Sequence, residues 1–286
     1  MGKLIIYERP ALVEPIMIMG FSGWMDGGSV SSGTVAYLRE KFDARLLAEI
    51  DPEDYYIFNF PGTMEEVAQF RPYTKMEDGL VTEFVYPKNE FHYAPESNLV
   101  FFFGKEPNLR WEDFSEQIMT LCNQIGIKTI FFVGSVSGLT PHTREPRILC
   151  SFSDAELKSR FEKFEVGFSD YQGPASIVTL LLNKAWDREL KFISLVVEIP
   201  MYVKTTNPKG IRSSLRIMAP FLKVDLDWVD VDDMCDEFER NIDQLVSKYP
   251  DLAEQIKVLE ENYDKEIVGD DQSFKEWLKR RGIDFL

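Results

Sequence analysis

The chain has 286 residues, 44% apolar and 13% aromatic with 22 phenylalanines, enough for one large core plus an appendage, which excludes a disordered chain. Its 48 acidic residues outnumber 32 basic ones, and the formal charge of -16 repels phosphate backbones and anionic lipid, so no nucleic acid or membrane partner is expected. Three widely spaced cysteines, Cys122, Cys150 and Cys235, suit a reduced, cytoplasmic protein; no export signal opens the chain, and no apolar run approaches the roughly 18 residues of a membrane span.

Residues 15–21, PIMIMGF, predict a buried strand. Over residues 26–41, Val30, Thr34, Tyr37 and Leu38 then recur at helical spacing, so the chain opens as strand, glycine turn and helix. Residues 46–86 alternate aromatic and polar positions between Pro52, Pro61, Pro72 and Gly79, which predicts inserted strands and loops, including antiparallel hairpins. A second strand, helix, strand unit follows: LVFFF at 99–103, a helix with Phe114, Ile118, Leu121, Cys122 and Ile125 on one face, and TIFFV at 129–133 after Gly126. Residues 174–186 predict a helix with Pro174 in its first turn, residues 192–199 another buried strand, and residues 208–222 the helix that covers it.

Continuous apolar strands separated by helices are buried on both faces, so the fold class is α/β, with a mixed, mainly parallel sheet covered by helices over residues 1–225. Residues 226–286 predict a helical C-terminal extension. Phe238, Ile242, Leu245 and Tyr249 share one stripe, and Leu252, Ile256, Leu259 and Tyr263 repeat it after Pro250. These stripes require burial, against the chain's own core or another subunit. The acids crowding residues 225–239 fit a solvated helix start. Residues 269–271 break the pattern before a last short helix carrying Phe274, Trp277 and Leu278.

The chemistry-bearing residues are sparse. GSVSG at 134–138 places Val136 where a nucleophile elbow needs serine, and His92 and His142, the only two histidines, cannot build a triad or a zinc helix. No metal site, no cofactor and no catalytic set is expected. GFSGWMDGG at 20–28 follows a strand with glycines that let backbone N–H groups approach an anion; equally, it is a tight turn with Asp26 capping the helix. TPHTREPR at 140–147 gathers His142, Arg144 and Arg147 at the carboxyl edge of the sheet, where ligands of open α/β folds bind; alternatively, its arginines pair with Glu145 and with acids across a subunit boundary. Arg110 and Trp111 form a surface cluster or a helix entrance. The candidate ligand-binding residues are therefore Gly20, Gly23, Asp26, Gly27, Arg110, His142 and Arg144, with Asp26 and His142 placed for proton transfer. Glu198, Tyr202 and Asn207 either join them or close a strand and cap a helix.

In order and spacing, GFSGWMDGG, EPNLRWEDF at 106–114, PHTR at 141–144, GPASIVTLL at 173–181 and EIPMYVKTTNPKG at 198–210 resemble the proteasome assembly chaperone 2 family. The resemblance covers nearly the whole chain, and GDDQSFKEWLKRR at 269–281 is similar to the helical ending of prokaryotic members. It implies a core similar to the phosphorylase and peptidyl-hydrolase fold, homo-oligomers that are trimers among prokaryotic members, and chaperone activity in proteasome assembly among eukaryotic relatives. Proteasome-docking tails of this wider class end in a hydrophobic residue, tyrosine and any residue. Here Asp284-Phe285-Leu286 puts a carboxylate in the hydrophobic slot, against docking by that device. The expected function is that of a non-catalytic oligomeric interaction or assembly factor. The alternative is a small-molecule enzyme or sensor that holds an anionic or nucleoside-like ligand in a phosphorylase-like cleft.

Overall fold

The structure, a computed structural model, describes residues 3–68 and 70–268. The last short helix and the terminal tripeptide lie outside the described residues.

Four parallel strands form the centre: β2 (Ile16–Ser22), β7 (Leu99–Lys105), β8 (Thr129–Gly138) and β11 (Lys191–Pro200), in the order β7, β2, β8, β11. Antiparallel strands extend both sides. β6 (Glu90–Ala94), β3 (Arg45–Ile50) and β1 (Leu4–Ile6) continue beyond β7; β9 (Ile148–Phe152) pairs antiparallel with β11 and carries the two-residue β10 (Gly167–Phe168) at its far edge. The sheet is mixed with a parallel middle, as the continuous apolar strands imply.

Alternation in β2 shows why the middle is two-sided. Met17, Met19 and Phe21 enter one core with Phe114 and Ile118 of α3 (Trp111–Ile125) and Ile177 and Leu181 of α5 (Ile177–Trp186). Ile18 enters the other, with Val35 and Leu38 of α1 (Val30–Lys41) and Ile211 and Leu215 of α6 (Pro208–Leu222). Gly20 lies on that second face, fully inside β2, where an added Cβ would stand 2.6 Å from the Ser31 carbonyl oxygen of α1.

Two helix starts differ from expectation. α1 begins at Val30, because residues 27–29 form a short 3-10 turn with Gly28 at φ +56° and Ser29 at φ +50°. α5 begins at Ile177 rather than at Pro174, because Ser176 and Thr179 close a reciprocal capping box that sets the start after the proline. Between β3 and β6, the inserted segment holds the short α2 (Met64–Ala68) and one antiparallel hairpin, β4 (Tyr73–Glu77) and β5 (Leu80–Val85), which pair only with each other. α4 (Ala155–Phe161) covers β9 near the opposite edge.

After α6 the chain leaves the sheet for α7 (Val229–Val246) and α8 (Pro250–Val268). Val231, Cys235 and Phe238 of α7 are buried, as is Ile256 of α8, so part of each tail helix packs on the chain's own body, while Leu245 and Tyr249 of the first predicted stripe stay exposed. Among the described residues no helix is long and apolar enough to cross a membrane.

Candidate functional site

All four central strands end at one rim. β2 and β8 pair only as far as Met19 and Phe132, whereas β2 continues along β7 to Lys105 and β8 along β11 to Pro200. The two middle strands therefore splay apart at their carboxyl ends, which opens the kind of crevice that receives ligands in open α/β sheets. Here the chain fills it. Ser31 Oγ accepts from Phe21 N–H at 3.0 Å and donates to the Val133 carbonyl at 2.5 Å, which ties the diverging strands through the first turn of α1. Above it, Ser135 N–H donates to the Met25 carbonyl at 2.8 Å and Ser135 Oγ donates to the Gly27 carbonyl at 2.6 Å, so the glycine turn is stitched onto β8.

Asp26 Oδ1 accepts from Ser32 N–H at 2.9 Å in the first turn of α1, whose N-cap residue is Ser29. Burial raises its carboxyl above the usual carboxylate range, opposed by hydrogen bonds from Ser32 and Ser31 and by Lys105. Lys105, at the end of β7, is itself pushed down by burial. Gly23 has φ +133° and passes Glu106, whose Oε1 accepts from Ile177 N–H at 3.2 Å at the start of α5. Glu106 is also raised by burial. Gly27 packs against Ile199 and Ser135.

A third carboxylate repeats the pattern. Glu198 Oε1 accepts from Leu139 N–H at 2.7 Å, Thr140 N–H at 2.9 Å and Thr140 Oγ1 at 3.0 Å. Asp26, Glu106 and Glu198 thus occupy the exposed N–H groups of two helix starts and one loop, the places that would otherwise cradle an anion.

The basic loop is occupied too, by α7 and α8. His142, whose side chain is 1% exposed, contacts Tyr202 Oη through Nδ1 at 2.8 Å and Asp243 of α7 through Nε2 at 3.0 Å. Arg144 grips Asp264 of α8 with two bonds of 2.8 Å, lies 3.7 Å from Glu260, and is held above its ordinary basicity chiefly by the Asp264 bonds. Thr143 donates to Glu260, Arg147 lies over the Tyr263 ring, and Tyr263 Oη donates to the Glu145 carbonyl at 2.8 Å. The acids that Arg144 meets belong to the chain's own α8, and Glu145 pairs instead with Arg212 at 2.6 Å.

Arg110 stands apart from this group. In left-handed conformation before α3, it pairs with Asp54 at 2.9 Å and Asp113 at 3.3 Å. The glycine turn and the basic loop do share the rim: Asn207 N–H donates to the Gly28 carbonyl at 2.8 Å, and in the same β11–α6 connection Tyr202 holds His142. Asn207 caps α6 by accepting from Gly210 N–H at 2.9 Å. The sequence reading missed Lys209. It is buried in the first turn of α6, and its Nζ donates to the His142 carbonyl at 2.7 Å and to Glu239 of α7. A lysine at a helix N-terminus opposes the macrodipole, and that cost was the available signal of a committed partner. Among the described residues, no group of three or more histidine, cysteine, aspartate or glutamate side chains is placed to hold a metal ion.

This rim belongs to a chain whose residues 20–246 match the PAC2 family model. The chain is a member of the PAC2 family. A proteasome-assembly chaperone homologue from Mycobacterium tuberculosis is similar at 25% identity and TM-score 0.73, over 84% of this chain and 99% of that one. A PAC2 family protein from Streptomyces avermitilis is similar at 26% identity and TM-score 0.70, over 84% and 99%. An archaeal proteasome activator from Pyrococcus furiosus shares the fold at 20% identity and TM-score 0.63, over 85% and 98%. No curated protein matches the chain significantly. In this PAC2 chain the matched region runs through α7, so the helix holding Asp243 and Glu239 lies within the family region and α8 beyond it.

Proposed function

We propose that this PAC2 protein is a non-catalytic assembly factor of the proteasome-assembly-chaperone kind, acting in the cytoplasm as a homo-oligomer, a trimer on the family resemblance. The observation that carries the proposal is the family match over residues 20–246, joined to the likeness with the mycobacterial assembly-chaperone homologue. The filled rim supports it. An enzyme or sensor of an anionic ligand needs unoccupied N–H donors and cations, and here Asp26, Glu106, Glu198, Glu260 and Asp264 stand in the places an anion would take. Gly20, Gly23, Asp26, Gly27, His142 and Arg144 then serve to seal the rim, and Arg110 to enter α3. Residues 1–225 are the body and residues 226–286 a C-terminal extension, whose helices α7 and α8 lie over the basic loop. Three buried free thiols suit a reducing compartment.

The test is co-expression with proteasome core-particle subunits from the same source. The chain should accompany incomplete particles, leave mature ones, and change the yield of half-assembled species. Unchanged assembly, with no association at any stage, would remove the proposal.

A further inference from the structure

We propose that α8 is a releasable strap, and that the basic loop beneath it is a docking surface for an acidic helix on a partner protein. One stripe of α8 makes the contact. Thr143 Oγ1 donates to Glu260, Arg144 bonds Asp264 twice, and the Arg147 guanidinium lies 4.5 Å from the centre of the Tyr263 ring, so positions i, i+3 and i+4 of the helix meet the loop. That stripe states the chemistry the loop recognises: two carboxylates one helical turn apart, with an aromatic ring beside them. The loop's arginines stand out in a chain of formal charge -16, and they are complementary to an acidic segment.

α8 is the removable part because little holds it. Ile256 alone is buried among its described side chains, whereas α7 buries Val231, Cys235 and Phe238 and answers the buried Lys209 with Glu239. The pairs of Arg144 with Glu260 and Asp264 are partly solvated, and exposed ion pairs contribute little. On the same helix, Asn262 Nδ2 is buried with no hydrogen-bond partner among the described residues, a penalty that release into water removes. The loop lies inside the family-matched residues 20–246 and α8 outside them, so the cations belong to the shared body and their cover to this chain's extension. Residues 247–249 join α7 to α8, and so short a tether holds α8 at the loop at an effective concentration on the order of millimolar. A free acidic helix therefore competes poorly with the closed strap and well once the strap is released.

The inference takes its partner class from the proposed assembly role, and its test is read without a proteasome. The probe is a fluorescein-labelled peptide of residues 250–268, whose six acids outnumber Lys257 and Lys265. Glu260→Lys with Asp264→Lys in the full chain should release the strap, and anisotropy at low salt should then show the peptide bound about tenfold tighter than by the wild type. Adding Arg144→Glu should abolish that gain. A released chain that binds no better than the wild type, or a gain that persists with Arg144→Glu, overturns the docking surface. A wild-type oligomer that the double substitution dissolves in sedimentation assigns the loop to the α8 of a second copy, and overturns the strap. Should the variant fold poorly, hydrogen exchange of the wild type decides: α8 amides should exchange about tenfold faster than those of residues 231–238 in α7, and equal protection overturns the strap. If these results hold while co-expression with core-particle subunits shows no association, the assembly role falls alone.

Discussion

Lys209 offers the sharpest test of how the tail helices hold the rim. Its side chain is 5% exposed, and its ammonium is shared between the His142 carbonyl at 2.7 Å and Glu239, which keeps 40% exposure. Glu239→Ala leaves that buried cation with the carbonyl alone among the partners described. Breaking a fully buried pair costs about 3–5 kcal/mol. Because water can enter on the exposed Glu239 side, the expected cost here is about 2 kcal/mol. Lys209→Met instead leaves a carboxylate that rehydrates readily, and costs about 1 kcal/mol. The double change, Lys209→Met with Glu239→Leu, should restore most of the loss, since neither charge then remains inside. Urea titrations of the four proteins give the cycle directly, read as midpoint shifts at constant slope. Equal and additive single costs, or a Glu239→Ala effect below about 0.5 kcal/mol, would refute the claim that α7 is fixed by desolvated charge.

Arg144→Ala removes the two-bond contact with Asp264 on α8, which is largely solvated, so a small loss of stability is expected at low salt and less at high salt; hydrogen exchange in α8 checks it, and a salt-independent effect would contradict a surface pairing. His92 is lowered to about 4, first by burial and then by Arg39, whose Nη2 lies 2.8 Å from its Nε2. The unfolded chain takes up that proton at an ordinary value of about 6.5, so stability falls as pH drops through this window and His92→Gln should flatten the slope. Proton NMR should show the His92 ring still neutral near pH 5, about one unit above the lowered pKa, and an ordinary His92 titration would refute this. Asp26 has the opposite sign. Its raised folded value stabilises below the unfolded carboxyl pKa and that contribution disappears as pH rises. Asp26→Asn, which keeps an oxygen for Ser32 N–H, should therefore melt higher than wild type near neutrality, with the gap closing in acid; a lower melting temperature at neutral pH would count against burial as the dominant cause.

Periodicity made the central strands and their helices legible, because TIFFV, LVFFF and PIMIMGF are short apolar runs followed by clear helical stripes. It failed where local chemistry decides. Pro174 suggested a helix start, but the Ser176 and Thr179 reciprocal bonds set the boundary. β10, only two residues long, exists by pairing with β9 and has no period of its own. At the rim, residue types were legible and partners were not. PHTR could be read as a cluster of positive charge, but Asp243, Glu260 and Asp264 lie about a hundred residues or more downstream, and |i−j| separations of 101 and 120 leave no trace in local spacing. Gly20 was read inside its strand, but its tight approach to the Ser31 carbonyl becomes visible only once α1 lies across β2.

The filled rim carries a physical consequence for the family reading. A sheet whose middle strands diverge must satisfy the freed backbone groups with a ligand, water or its own side chains. This chain uses Ser31 and Ser135 between the strands, then Asp26, Glu106 and Glu198 at the surrounding N–H groups. Burial disfavours the charged forms of Asp26 and Glu106, and the hydrogen bonds they accept offset part of that cost. A site built to capture an anion would place neutral or positive groups there. Carboxylates held in those positions instead bind loop to helix, and they make a rigid platform on which α7 and α8 can rest. Among the described residues, exposed apolar side chains then lie away from the rim, for example on the β4–β5 hairpin and at Leu245 of α7.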